Sequence, residues 1–245
     1  YPHALKNVDG SYRAHETDAE LANRLLDEAG NWHEFDWFGQ LGQKEYEASS
    51  VSVRFTYELA TQPLSSCRMT YTVAEDASIK VELDYDAVEG LPEIPDFAML
   101  FTLPADYDQV RFYGYGPNEN YVDRHEGARL GIFKTTTREN VSKYLVPQEC
   151  GNRTGVRWAE VTDYRGRGLR FTGDGMEFSA LPYTPHELEN AMHDYELPPI
   201  HYTVIRANLQ QMGVAGDDSW GAQTHEEYLL DTSKHMSFTF SFKGI

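Results

Sequence analysis

Apolar and polar residues alternate along much of the chain. Val51, Val53, Phe55, Tyr57 and Leu59 fall on one side, with Ser52, Arg54, Thr56 and Glu58 on the other. A period of two predicts a strand with one buried face. Cys67, Met69, Tyr71 and Val73 repeat the pattern, as do Ile79, Val81, Leu83 and Tyr85, and then Met236, Phe238, Phe240 and Phe242. Phe97-Ala98-Met99-Leu100-Phe101 is a further strand-sized apolar run. Asp174-Gly175, between Leu169/Phe171 and Met176/Phe178, predicts a type I′ hairpin, whose two central residues need positive φ. With the looser turn Arg165-Gly166-Arg167-Gly168 before it, residues 156–180 read as a three-stranded meander.

Two short helices interrupt the strands. Thr17-Asp18-Ala19-Glu20 is a capping box, followed by an apolar face of Leu21, Ala22, Leu25 and Leu26 and a Gly30 C-cap. Thr184-Pro185-His186-Glu187 is a second box with Pro at N1; Leu188, Ala191 and Met192 follow, and Pro198-Pro199 blocks continuation. No repeat or linker-like composition shift breaks the chain. The expectation is one all-β domain over residues 1–245, antiparallel and in two layers. The sheets must be large, because a seven-stranded sandwich uses only about 100 residues.

Composition narrows the function. Lys and Arg total 21 against 39 Asp and Glu, a net charge of −18, and the densest basic patch is only Arg165, Arg167 and Arg170. Nucleic acid and anionic membranes are therefore not expected partners. No apolar run reaches the roughly 20 residues of a membrane helix. Residues 1–30 lack the basic start and apolar stretch of a signal peptide, so the expected location is cytoplasmic. The chain opens on Tyr1 rather than Met, which fits a fragment, a processed subunit or a trimmed chain. Cys67 and Cys150 are expected to be reduced thiols near a core.

Most candidate chemistry is weak. Gly114-Tyr115-Gly116-Pro117-Asn118 imitates a phosphate loop, but no helix pattern follows and Pro removes an N–H. The nine histidines show no metal-ligand spacing, and adjacent pairs such as Asp217-Asp218 and Glu226-Glu227 select no catalytic dyad. The stretch from Gly213 to Gly221 is more unusual. Its glycines permit sharp turns, Asp217, Asp218 and Ser219 can bond local backbone, and Trp220 sits at the tip. A Trp on a polar loop suits stacking on the apolar face of a sugar, unless it folds back into the core.

Four segments, in order, resemble the C-terminal (small-chain) domain of β-galactosidases of glycoside hydrolase family two. Residues 114–124 resemble its G-x-G-P-x-E-[NS]-Y-x-D-R signature, and residues 144–153 its Y-x-x-P-Q-E-x-G-x-R segment, followed by Val156-Arg157-Trp158. Phe178 to Thr184 is similar to the stretch opening its short helix, and Met212 to Trp220 resembles M-G-x-G-G-D-D-S-W with Ala215 in place of a Gly. The likeness is strongest over residues 113–221. Arg13-Ala14 and Thr17-Asp18 keep only part of the family's W-R-A-P-T-D-N-D entry, so the boundary within residues 1–50 stays open.

The resemblance implies a large antiparallel two-sheet β-supersandwich akin to galactose mutarotase, with one or two short helices. It implies a carbohydrate-binding part of a retaining glycosidase whose catalytic glutamates lie in a separate (β/α)₈ barrel domain or large subunit. Such a barrel alone needs about 250 residues, and no segment here matches it. No catalytic residue, cofactor or metal is thus expected in this chain; any divalent or monovalent metal belongs to the absent catalytic domain. The resemblance gives substrate binding to Trp220, with Asp217, Asp218 and Ser219 shaping its loop. It gives Asn118, Glu119, Tyr121, Asp123, Arg124, Glu149 and Arg153 structural roles. Two alternatives stay open: an aldose mutarotase or epimerase using residues such as His201 and Glu226, and a stand-alone carbohydrate-binding module.

Overall fold

A computed structural model describes residues 50–218 and 220–245. The helix expected from Thr17 to Gly30 lies outside them. The described residues form two compact units, one running to Pro92 and including Thr232–Ser241, the other comprising Glu93–Asp231 and Phe242–Ile245.

In the first unit β1 (Ser50–Leu59), β2 (Ser65–Ala74) and β3 (Ile79–Tyr85) form an antiparallel meander, in register at Val53↔Tyr71 and Met69↔Leu83. The alternation in sequence becomes alternation in burial: Val81, Leu83 and Tyr85 are buried, while Lys80 is exposed and Glu82 and Asp84 are half-buried. Arg68 crosses from β2 to bond Asp84 and Asp86, the latter at 2.5 Å. β10 (Met236–Gly244) begins in this unit and contributes the buried Phe238 and Phe240.

The second unit contains β4 (Asp96–Pro104), β5 (Gln109–Gly116), β6 (Arg129–Thr136), β7 (Arg153–Thr162), β8 (Gly168–Leu181), the helix α1 (Pro185–Asn190) and β9 (Tyr202–Gln211). All its pairings are antiparallel, and β6, β5, β7 and β8 are successive neighbours. The C-terminal half of β8 then pairs with β9, Glu177↔Asn208 to Leu181↔Val204, and β4 borders the other side of β9. One strand is therefore shared by two ladders. The ladders also face one another: Phe101 of β4 meets Phe171 of β8 at 5.3 Å between ring centroids, and Phe171 meets Phe178 at 5.5 Å. Residues 176–181 of β8 are all buried, as expected of a segment covered on both faces. The fold class is all-β and antiparallel, and α1 is the only α-helix among the described residues. None of their helices is long and apolar enough to cross a membrane.

The expected meander over residues 156–180 is corrected to a two-stranded hairpin. β7 and β8 are joined by the turn at 163–167, where Asp163 Oδ1 accepts from the Arg165 and Arg167 N–H groups at 2.8 and 3.0 Å. Asp174-Gly175 does not reverse the chain. Gly175 takes φ 70° inside β8, and the register jumps there from Trp158↔Thr172 to Val156↔Met176. The same positive φ that closes a hairpin accommodates extra residues in a bulge. The second capping box forms as expected: Thr184 Oγ1 accepts from the Glu187 N–H at 3.1 Å, and Glu187 Oε2 accepts from the Thr184 N–H at 2.7 Å.

Candidate functional site

β5 delivers the chain into the segment 117–124, which doubles back tightly: Tyr121 and Arg124 exchange backbone hydrogen bonds of 3.1 and 2.9 Å. Glu119 is its hub. Its carboxylate accepts from Ser142 Oγ at 2.6 Å, the Gly151 N–H at 2.7 Å and Arg124 at 2.7 Å, and also from the Tyr144 hydroxyl. Burial would raise its pKa, but the bonds from Ser142, Tyr144 and Gly151, with the Arg124 charge, hold it below the ordinary glutamate value. Asn120, 1% exposed, donates to the carbonyls of Tyr115 and Asn118 and accepts from the Thr154 N–H and hydroxyl.

Two buried arginines hold neighbouring segments. Arg153 donates to the carbonyls of Pro117, Gly151 and Asn152 and to Asn140 Oδ1, and burial lowers its pKa to about 10. Arg206 on β9 bonds Asp96 at 3.1 Å, Ser179 at 3.2 Å and Glu149, and Tyr121 donates to Glu149 at 3.3 Å. Glu177 on β8 accepts from Asn152 Nδ2 at 2.8 Å and the Gln211 N–H at 3.0 Å. Burial outweighs those bonds and pushes its carboxyl up to about 7.

β9 ends at Gln211 and leads into the Trp-bearing loop. Asp123 Oδ2 accepts from the Ala215 N–H at 2.8 Å, and a Cβ on Gly213 would lie 2.7 Å from that oxygen. Only glycine lets the loop pass so close. Asp218 Oδ1 accepts from the N–H groups of Trp220 at 2.7 Å and Ala222 at 3.3 Å. Asp217 instead pairs with His225 Nε2 at 3.0 Å, which raises the His225 pKa. Trp220 is 93% exposed, so it does not fold back into the core.

Two clefts open beside these segments. One of about 450 Å³ is lined by Asn118, Glu119, Asp123, Arg124 and His125, among others. The other, about 500 Å³, is lined by Tyr115, Thr154, Glu177 and Gln210, and shares His125 and Glu126 with the first.

A family described as the β-galactosidase small chain matches residues 5–242. The chain belongs to the β-galactosidase small-chain family. The match extends far beyond the segment 113–221 on which the sequence likeness was strongest. A β-galactosidase of Halalkalibacterium halodurans is 42% identical over 94% of this chain, which covers 23% of that protein. A β-galactosidase of Priestia megaterium is likewise 42% identical, over 94% of this chain and 22% of its own length. A β-galactosidase small subunit of Latilactobacillus sakei is 35% identical over 80% of this chain and 65% of its length. The chain thus spans about a quarter of the full-length β-galactosidases it matches. Among solved structures, a putative aldose 1-epimerase from Escherichia coli K12 aligns at 8% identity and a TM-score of 0.39, covering 82% of this chain and 67% of that one. The fold class rests on the strand pairing.

The geometry sorts the small-chain residues singled out in sequence. Asn118, Glu119, Asp123 and Arg124 line one cleft, while Tyr121, Glu149 and Arg153 lie behind it as bonded supports. Asp218 bonds the Trp220 backbone, Asp217 bonds a histidine, and Ser219 lies outside the described residues. His201 precedes β9 and Glu226 opens a short turn after the Trp loop; among the described residues no hydrogen bond or ion pair joins them. Asp84, Asp86 and His235, in the first unit, converge within 4.8 Å, but Arg68 already bonds both carboxylates. Sequence reading missed Arg206 and Glu177. Their signal was a charged residue inside a run of otherwise apolar or small residues, Thr203 to Ala207 and Met176 to Leu181.

Proposed function

We propose that this chain is the C-terminal domain or small subunit of a β-galactosidase and forms one wall of its galactoside site. The acid and nucleophile come from a catalytic barrel domain or large subunit. The observation that carries the reading is Trp220, 93% exposed at the tip of a loop held by Asp218 and Asp123 in a small-chain family member. An indole held outward offers an apolar plane to the C–H face of a galactosyl ring, with carboxylates near for its hydroxyls. A retaining glycosidase needs two carboxyls about 5–5.5 Å apart with freedom to attack and protonate. Here Glu119 answers hydrogen bonds from four residues, Glu149 is bonded to Arg206, and Glu177 is fixed by Asn152 and Gln211. These carboxyls act as structural acceptors, so hydrolysis belongs to the partner.

The test is turnover of a chromogenic β-galactoside by the purified chain, alone and assembled with the catalytic part. Turnover is expected only in the assembly. There Trp220→Ala should raise KM by roughly tenfold, the order of one lost stacking contact. Robust turnover by the chain alone would overturn the division of labour. Tight galactose binding by the chain alone would favour an independent binding module.

A further inference from the structure

Leu145 is 96% exposed, the most exposed of the large apolar side chains among the described residues, and Val146 beside it is 42% exposed. The backbone carrying them is not loose. On one side Tyr144 packs against the small core of Cys150, Leu181 and Leu188, and its hydroxyl bonds Glu119 and Arg124. Ser142 Oγ adds a 2.6 Å bond to the same Glu119. On the other side Pro147 is buried, Glu149 is bonded to Arg206 and Tyr121, and the Gly151 N–H returns to Glu119 at 2.7 Å. Two apolar side chains are thus thrust out between fixed anchors. The two exposed tyrosines nearest to it in exposure have local company: Tyr195 stacks on His193 at 5.1 Å, and Tyr164 accepts from Arg165 at 2.7 Å. Leu145 carries no polar atom with which to satisfy water.

We propose that Leu145, with Val146 at its side, docks this chain onto the catalytic part of the β-galactosidase by entering an apolar pocket there. The proposal rests on the functional reading above and names its contact. The occupant follows from length: in the relative from Halalkalibacterium halodurans the matching segment is 23% of the polypeptide, so about three quarters of that protein is available to cover this surface. A backbone held in place before contact loses little freedom on binding, so the cost of ordering this segment is small. Glu119 braces the docking loop and lines the 450 Å³ cleft, so docking seats the cleft against the partner.

The test is association of this chain with the separately produced catalytic part, followed by sedimentation, for wild type, Leu145→Asp, Leu145→Met and Tyr195→Asp. Leu145 is almost wholly solvent-exposed, so the unfolding midpoint of Leu145→Asp should match wild type. Its dissociation constant should rise at least about tenfold, because the partner pocket would have to take up a charge. Leu145→Met and Tyr195→Asp should bind within about twofold of wild type. Equal binding by Leu145→Asp and wild type would overturn this docking alone. Failure of the wild-type chain to bind the catalytic part would overturn the functional reading and the docking with it.

Discussion

Glu177 shows how one residue ties the candidate site together. A single carboxylate oxygen accepts from Asn152, which also bonds the Asn120 carbonyl, and from the Gln211 N–H at the root of the Trp loop. Burial raises its pKa to about 7 in the folded chain, above the unfolded value of about 4.5. The folded state therefore holds this proton more tightly. Its contribution to stability is complete below about pH 4.5 and is lost as pH rises to about 7. Glu177→Gln keeps an acceptor and cannot ionise. Urea unfolding should give the variant an advantage that grows by about 3 kcal/mol between pH 4.5 and 7 and is flat above. A pH-independent difference would show that Glu177 does not titrate in this range. The sequence could not reveal this role, because the partners lie 25 and 34 positions away. Asp123 and Ala215, 92 positions apart, were hidden for the same reason, although both stood inside segments recognised by their residues.

Elements were more legible than contacts. Strand alternation located β1, β2, β3 and β10 because one half-buried face imposes period two on side-chain type. The second capping box located α1, since both of its hydrogen bonds are local. Asp174-Gly175 was misread because a dipeptide reports the φ it tolerates and not what the chain does next. Gly175 still allows a test. It has φ 70° and open space where a Cβ would stand, so Gly175→Ala should destabilise through backbone strain alone, by about 1 kcal/mol. Gly166→Ala, with φ 81° and equally open space, should cost about the same. Thermal unfolding of both variants checks this; a neutral Gly175→Ala would remove the requirement for positive φ in the bulge.

At the scale of the molecule, the −18 charge argued against some partners without choosing a function, while among the described residues aromatic side chains built the layers and left the Trp220 indole outside. Such a charge repels itself in any compact state. Raising NaCl from about 0.02 to 0.3 M should therefore raise the unfolding midpoint by a few degrees through screening, and a fall would identify ion pairs as the stronger effect. The pairing of β4 with β9 has a consequence in time. Met99 meets Ala207, so during synthesis β4 leaves the ribosome roughly a hundred residues before its neighbour, a wait of about 5–20 s. For that interval Phe97 and Phe101 have no β9 beside them. A nascent chain stalled between β4 and β9 carries this unpaired apolar strand, a form prone to aggregation and to chaperone capture.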